Sequence, residues 1–167
     1  GWLRAPKGFF CCKNCKACKT SKNVDTFSTT FGHIQKINKY LTCTPDYCIY
    51  ALRCPCGLLY IGSTIFPCKK RILEHKRAIL HNDPSYLVAR HYNQAHPKDL
   101  DKVIFFAFDR VLSNIRGGDR EKALRVLESR YIIKIGTKAP LGLNQTRKCL
   151  VIFYNISPLL SPSPFKI

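Results

Sequence analysis

Cys12, Cys15 and Cys18 follow one another at three-residue intervals inside the run CCKNCKAC, and Cys54 and Cys56 are separated only by Pro55. Cysteines this close rarely bridge each other, because a disulfide needs its Cα atoms in a narrow distance window and its Cβ vectors aligned. A C-x-x-C-x-x-C run instead turns its thiolates toward one point, as a tetrahedral metal site requires, and zinc is the expected ion. Further on, Arg71 and His75 stand one helical turn apart, a spacing that taken alone favours a solvated basic face over a phosphate contact. Glu128, four residues from both Leu124 and Ile132, is either a ligand for a hard cation or half of a helix salt bridge with Arg125 or Arg130. Tyr50 and Tyr60 lie on neighbouring strand-like runs, where phenols converge on one site or serve as half-buried packing.

Elements to position these residues can be read from the same stretch. YCIYALRC (47–54) and LLYIG (58–62), joined by Pro55-Cys56-Gly57, predict a β-hairpin. Thr64 is expected to cap a helix that has Pro67 in its first turn and runs to Leu80, and Asp83 with Pro84 to start a second through SYLVARHYNQAH. KVIFFAFD (102–109) predicts a third strand, apolar enough to be central. Residues 117–137 predict a longer helix with Leu124, Leu127, Tyr131 and Ile135 as one buried stripe and Gly136 as its stop. The order β-β-α-α-β-α describes a small mixed α/β (α+β) domain. The polar, Lys-rich first 40 residues read as a metal-organised appendage with no core of its own, and the Pro/Ser-rich end reads as a flexible tail. The expected division is therefore 1–43, 44–154 and 155–167.

Composition selects the class of partner. The chain of 167 residues carries 28 Lys+Arg against 10 Asp+Glu, a formal net charge of +18, while 46% hydrophobic residues with 10 Phe and 8 Tyr exclude a disordered basic tail. No apolar run approaches the roughly 18 residues that span a bilayer, and no signal-peptide core opens the sequence, so neither membrane spanning nor secretion is expected. Such an excess of cations calls for a polyanion. Nucleic acid is favoured over an anionic membrane surface, because the basic residues are interleaved with Tyr, Phe, His and Cys and form no single amphipathic helix. Clustered thiols without a secretory signal indicate a reducing compartment. A chain without Met that begins at Gly1 reads as a piece of a longer protein.

Taken in order, Tyr50 at the end of CIY, Tyr60-Ile61-Gly62, Arg71 followed by His75, Glu128 on a later helix and Asn144 in PLGLN resemble a GIY-YIG nuclease domain over residues 47–144. The segments ALRCPCGLLYIG, VARHYNQAH and PLGLN are most similar to the C-terminal endonuclease of Penelope-like retroelements. Cys48 stands where most of the superfamily has Gly, a backbone-packing position at which the retroelement branch itself usually lacks the Gly. The resemblance implies a three-stranded, mainly antiparallel sheet flanked by helices, with the N-terminal zinc-binding appendage added. It implies a divalent-metal-dependent DNA endonuclease that nicks target DNA in the nucleus to prime reverse transcription and integration. Its partners would be duplex DNA, the retroelement RNA and the reverse transcriptase domain preceding it in the same polyprotein.

Residue by residue, the resemblance implies Tyr50 as general base, directly or through water, and Tyr60 as its positioning partner. It gives Arg71 the scissile phosphate, and His75 the task of orienting water, relaying a proton or bracing the tyrosines. Glu128 would ligate one Mg²⁺ or Mn²⁺, and Asn144 would organise the site by hydrogen bonds. Lys69, Lys70, Arg71, Lys76 and Arg77 are the expected backbone contacts to DNA. Cys54, Cys56, His91 and His96 suit one structural Zn²⁺, matching the Cys-x-Cys and His pair of the retroelement enzymes. Cys12, Cys15 and Cys18 would take Cys43 as fourth ligand of a second, with Cys11 an alternative to Cys12 and His33 to Cys43. Cys48, Cys68 and Cys149 remain as ordinary buried thiols. A zinc-organised nucleic-acid-binding module without cleavage is the alternative function.

Overall fold

The computed structural model describes residues 5–12, 14–96, 102–113 and 118–145, so Cys149 and the tail 155–167 lie outside the described residues. The chain is mixed α/β. Its centre is a three-stranded antiparallel sheet. β1 (Gly8–Phe9) pairs in parallel with β4 (Tyr40–Leu41), and β2 (Thr26–Ser28) pairs antiparallel with β3 (Ile34–Lys36). β5 (Cys48–Arg53), β6 (Leu59–Thr64) and β7 (Ile104–Arg110) then form the central sheet in the order β6-β5-β7. The expected hairpin is β5–β6, with Tyr50 opposite Gly62 and Leu52 opposite Tyr60. Because side chains alternate along a strand, Tyr50 and Tyr60 share one face as diagonal neighbours.

β7 is an edge strand, contrary to the expectation that its apolar run is central. Both its faces are covered, with Phe105, Phe106, Ala107 and Phe108 all buried, and Ser21 bridges its outer edge at Phe105. Such burial demands apolar residues wherever a strand lies in a sheet. The β5–β7 register slips between Ile49 and Tyr50, leaving Phe108 as a bulge residue beside Tyr50.

α1 (Cys68–Leu80) forms as expected but is capped differently. Thr64 ends β6, and its hydroxyl is occupied with the peptide of Phe66, leaving Pro67 as the capping residue. α2 (Leu87–Ala95) begins later than the Asp83-Pro84 signal, because the Asp83 carboxylate accepts from Ser85 N and Oγ and makes a separate turn. α3 (Arg120–Ile135) is capped by Asp119, which accepts from Lys122 N, and it ends at Gly136, whose φ of 80° is left-handed. Its buried line is Leu124, Ser129, Ile132 and Ile135, whereas Leu127 and Tyr131 are only half-buried. The helix is rotated from the expected stripe, and Glu128 falls on the line from Leu124 to Ile132.

The N-terminal segment shares the core with the sheet. Phe9, Phe27 and Leu41 are buried, and Phe27 meets Phe106 and Phe108 edge-on at 5.0 and 5.2 Å between centroids. Sequence reading missed this because Phe9, Phe27 and Leu41 are isolated in a polar stretch with no period to connect them.

Gly62 has a specific task opposite Tyr50. A Cβ there would overlap the Tyr50 phenol and stand 2.9 Å from Tyr60 Cε1. Gly62→Ala is expected to destabilise the protein by about 1–3 kcal/mol, the usual cost of overpacking, as read from denaturant unfolding.

Candidate active site and metal centres

The tyrosine face of the hairpin meets α1 in a chain of hydrogen bonds. Arg71 Nε donates to Tyr50 Oη at 3.1 Å, and Tyr50 Oη lies 2.8 Å from His75 Nε2. Arg71 and His75 can both reach one phenol because the i, i+4 spacing stacks them on one side of α1. Tyr60 stands beside the pair, its ring centroid 6.3 Å from that of Tyr50 and 5.7 Å from that of His75. Arg71 also donates to Glu74 Oε2 at 2.8 Å, so Glu74 is a structural partner of the arginine. A cleft of about 260 Å³ opens over Tyr60, Arg71 and His75, walled by Ser85, Tyr86 and Gln145 among others.

Burial dominates the electrostatics here. It pushes the Tyr50 phenol well above its ordinary range; Tyr60 adds to the shift and the Arg71 charge opposes it. Tyr60 is raised for the same reason, with the negative field of Glu128 as the next cause. Burial, reinforced by Arg71, lowers His75 to about 3, so the ring is neutral at physiological pH. A neutral imidazole can accept the Tyr50 proton in a hydrogen bond, while Arg71 donates to the same oxygen. Of the roles open to His75, bracing the tyrosine is the one its buried position serves most directly.

Glu128 joins the group indirectly. Its Oε2 accepts from Ser63 Oγ at 2.7 Å, and Ser63 projects from the opposite face of β6 to Tyr60. Neither Arg125 nor Arg130 pairs with Glu128; Arg125 pairs with Glu121 at 2.8 Å. The carboxylate is thus half-buried, with the Ser63 hydroxyl as its partner and no cationic partner among the described residues. Ser63 was not foreseen, and its only sequence signal is that it follows the YIG directly.

Asn144 is buried, and its side-chain amide reads the edge of β6 as another strand would. Nδ2 donates to Ile61 O at 2.7 Å, and Oδ1 accepts from Ile61 N at 2.9 Å. These two bonds hold the residue between Tyr60 and Gly62. Around α1, Lys69, Lys70 and Arg77 are exposed, and Lys70 Nζ sits 4.1 Å from the Phe66 ring centroid. Lys76 has its ammonium on the carbonyls of Lys16 and Ala17 at 3.0 and 3.3 Å, a tie between α1 and the cysteine-rich turn.

Among the described residues, two groups of side chains could hold metal ions. Cys12, Cys15, Cys18 and Cys43 bring their sulfurs within 4.8 Å of one another, and so do the ligand atoms of Cys54, Cys56, His91 and His96. Cys12 comes from the loop after β1, Cys15 and Cys18 from the turn at Lys16–Thr20, and Cys43 from just before β5. Neither Cys11 nor His33 belongs to the first group: the Cys11 peptide bonds Asn23, and His33 lies exposed at the β2–β3 turn. Four thiols match the donor set of a structural zinc site. Burial opposes ionisation of Cys15, yet three thiol neighbours more than offset it and bring the group down to about 7, whereas burial pushes Cys43 up to about 12. In the second group Cys54 and Cys56 Sγ each lie 3.3 Å from His91 Nε2, and His96 Nε2 is buried with no hydrogen-bond partner among the described residues. Two thiols and two imidazoles in one such group match the donor set of a tetrahedral zinc site. Cys48 and Cys68 are buried thiols as expected, and the Cys48 thiol donates to the carbonyls of Pro45 and Asp46.

Elemental analysis is expected to return about two zinc per chain, and Cys43→Ser and His91→Ala each to remove one. For His75 the fold favours the neutral ring, so its share of stability is present above pH 6.5 and lost as pH falls toward 3. The His75 ring resonances should hold constant from about pH 8 to about pH 5, and the acid-side loss of stability should be shallower in His75→Phe. Comparison of the chain with protein-family models, curated proteins and solved structures finds no match.

Proposed function

We propose that the chain is a GIY-YIG DNA endonuclease of the Penelope-like retroelement type. The observation that carries this reading is the Arg71–Tyr50–His75 hydrogen-bond chain beside Tyr60 in an open cleft. A guanidinium held by a phenol at the floor of a cleft is suited to a phosphodiester phosphate, and a net charge of +18 to the polyanion that carries it. The parent element would use the nick, made in chromosomal DNA in the nucleus, to prime reverse transcription by the polymerase domain of the same polyprotein on its RNA.

In this mechanism Arg71 binds the scissile phosphate and offsets the charge that grows on its oxygens. Tyr50, with Arg71 donating to its oxygen and His75 beside its proton, orients the attacking water. Tyr60 and the Asn144-held backbone of β6 fix the phenols against the cleft. Glu128, oriented by Ser63, would hold one Mg²⁺ or Mn²⁺, which when bound supplies Lewis-acid polarisation of the phosphate and a more acidic water. Exposed Lys69, Lys70 and Arg77 meet neighbouring phosphates and contribute affinity without base readout.

A second reading, a zinc-organised nucleic-acid-binding module without cleavage, is favoured by one observation: burial holds the Tyr50 phenol in its protonated form. A nicking assay on supercoiled plasmid with Mg²⁺ or Mn²⁺ separates the two. The nuclease reading expects cleavage by the wild type and a loss of about 10²–10³-fold in Glu128→Ala and Arg71→Ala, the size of one transition-state stabiliser. Equal cleavage by Glu128→Ala defeats the assigned role of that carboxylate. Binding without cleavage by the wild type establishes the second reading.

A further inference from the structure

Tyr86 stands on the wall of the cleft, and none of the roles above uses it. It caps the start of α2, delivered there by the Asp83–Ser85 turn, with its own N–H donating to Asp83 O at 3.3 Å. Its ring touches both working residues of α1. The His75 ring meets it edge-on at 5.7 Å between centroids, and Arg71 Cζ lies 5.5 Å from its centroid. The seat is firm: Ala89 is fully buried, and Asn93 Nδ2 donates across to Ile79 O of α1 at 3.0 Å.

Arg71 needs such a wall. Its hydrogen bonds go to Tyr50 Oη and Glu74 Oε2, with the Tyr60 phenol also close, and the ion pair with Glu74 joins side chains 28% and 36% exposed, where solvent screens it and pair energies are small. A second carboxylate would restrain the guanidinium by consuming the N–H donors that a phosphate requires. An aromatic face restrains the cation by its quadrupole and leaves those donors available.

We propose that Tyr86 is a positioning residue: its ring walls the Arg71 slot and holds the guanidinium toward the cleft in the orientation that receives a phosphodiester. The inference rests on reading the cleft as a phosphodiester site. It assigns the work to the ring, not the hydroxyl, which makes no hydrogen bond among the described residues.

The test uses the full zinc-loaded chain and two readouts. The first is the solvent-exchange rate of the Arg71 Nε–H resonance, assigned by its disappearance in Arg71→Lys and measured without DNA. The second is plasmid nicking with Mn²⁺, resolved into kcat and KM. Tyr86→Phe is expected to match the wild type within about twofold in both, whereas Tyr86→Leu speeds Nε–H exchange and lowers kcat by about tenfold, the scale of a partly desolvated cation–π contact, with KM little changed. If Tyr86→Leu does not fold, Tyr86→Met, which fills similar space without a ring, carries the same expectations. Unchanged exchange and kcat in the ring-less variant overturn the proposal. A loss in Tyr86→Phe equal to that in Tyr86→Leu overturns it too, since the hydroxyl would then be the working group. A wild type that cuts no DNA defeats the nuclease reading alone, and the exchange rates still decide whether Tyr86 holds Arg71.

Discussion

A phenol buried in the middle of a sheet has to have its hydroxyl satisfied, and at Tyr50 that requirement organises the molecule around it. Tyr50 is 1% exposed on the central strand β5, where an unpaired hydroxyl would cost on the order of 1–3 kcal/mol. Arg71 and His75 supply the partners, and for both to arrive α1 must lie in one rotation over the hairpin. Gly62 clears the space its ring occupies, and the register slip at Ile49/Tyr50 sets a bulge beside it. The same burial that makes the hydrogen bonds strong lowers His75 and raises Tyr50, so structure and proton affinity share one cause.

Around this centre the two candidate ligand groups would, with an ion bound, act as staples in a small domain. Cys54 and Cys56 sit in the β5–β6 turn and face His91 and His96 on or just past α2, so a cation there joins the tyrosine hairpin to the helix that carries the cleft wall. The four-cysteine group reaches α1 by backbone: Lys69 N donates to Cys43 O at 2.6 Å, and Lys76 closes on the turn between Cys15 and Cys18. Both helices that shape the cleft are thus linked to a candidate ligand cluster as well as to the apolar core. Core packing of Phe9, Phe27 and Leu41 against the sheet makes the N-terminal segment part of the same body.

Charge is distributed with a similar division. The acidic residues are few and mostly engaged: Asp109 accepts from Lys39, Tyr131 and its neighbour's backbone, Asp46 faces Arg110 and Arg120, and Glu121 takes Arg125. Glu128, like Asp83 with Ser85, has a hydroxyl partner and no cation among the described residues. The basic excess is therefore left on the surface, and on α1 it flanks the cleft.

Much of this was legible in the chain because local rules carry it. The hairpin is written in a β-branched and aromatic apolar run broken by Pro-Cys-Gly, the helices in their periodic patterns, and both ligand groups in the spacing of soft donors. The resemblance of the tyrosine, arginine, glutamate and asparagine order named the candidate site residues before any geometry was known. What sequence could not hold was whatever depends on meeting at a distance. Local signals put the start of α2 at Asp83 and a cap at Thr64, but each side chain bonded a nearer peptide first. Apolar content marked β7 as central, but coverage of its faces and a bridge from Ser21 made an edge strand equally dry. Sequence by itself determined the donor chemistry, the hairpin and the net charge, since these follow from residue type and short spacing. Only the tertiary structure decided that Tyr50 is sealed between Arg71 and His75, that Ser63 holds Glu128 and that Tyr86 stands beneath the guanidinium, because burial and side-chain contact arise when distant segments pack.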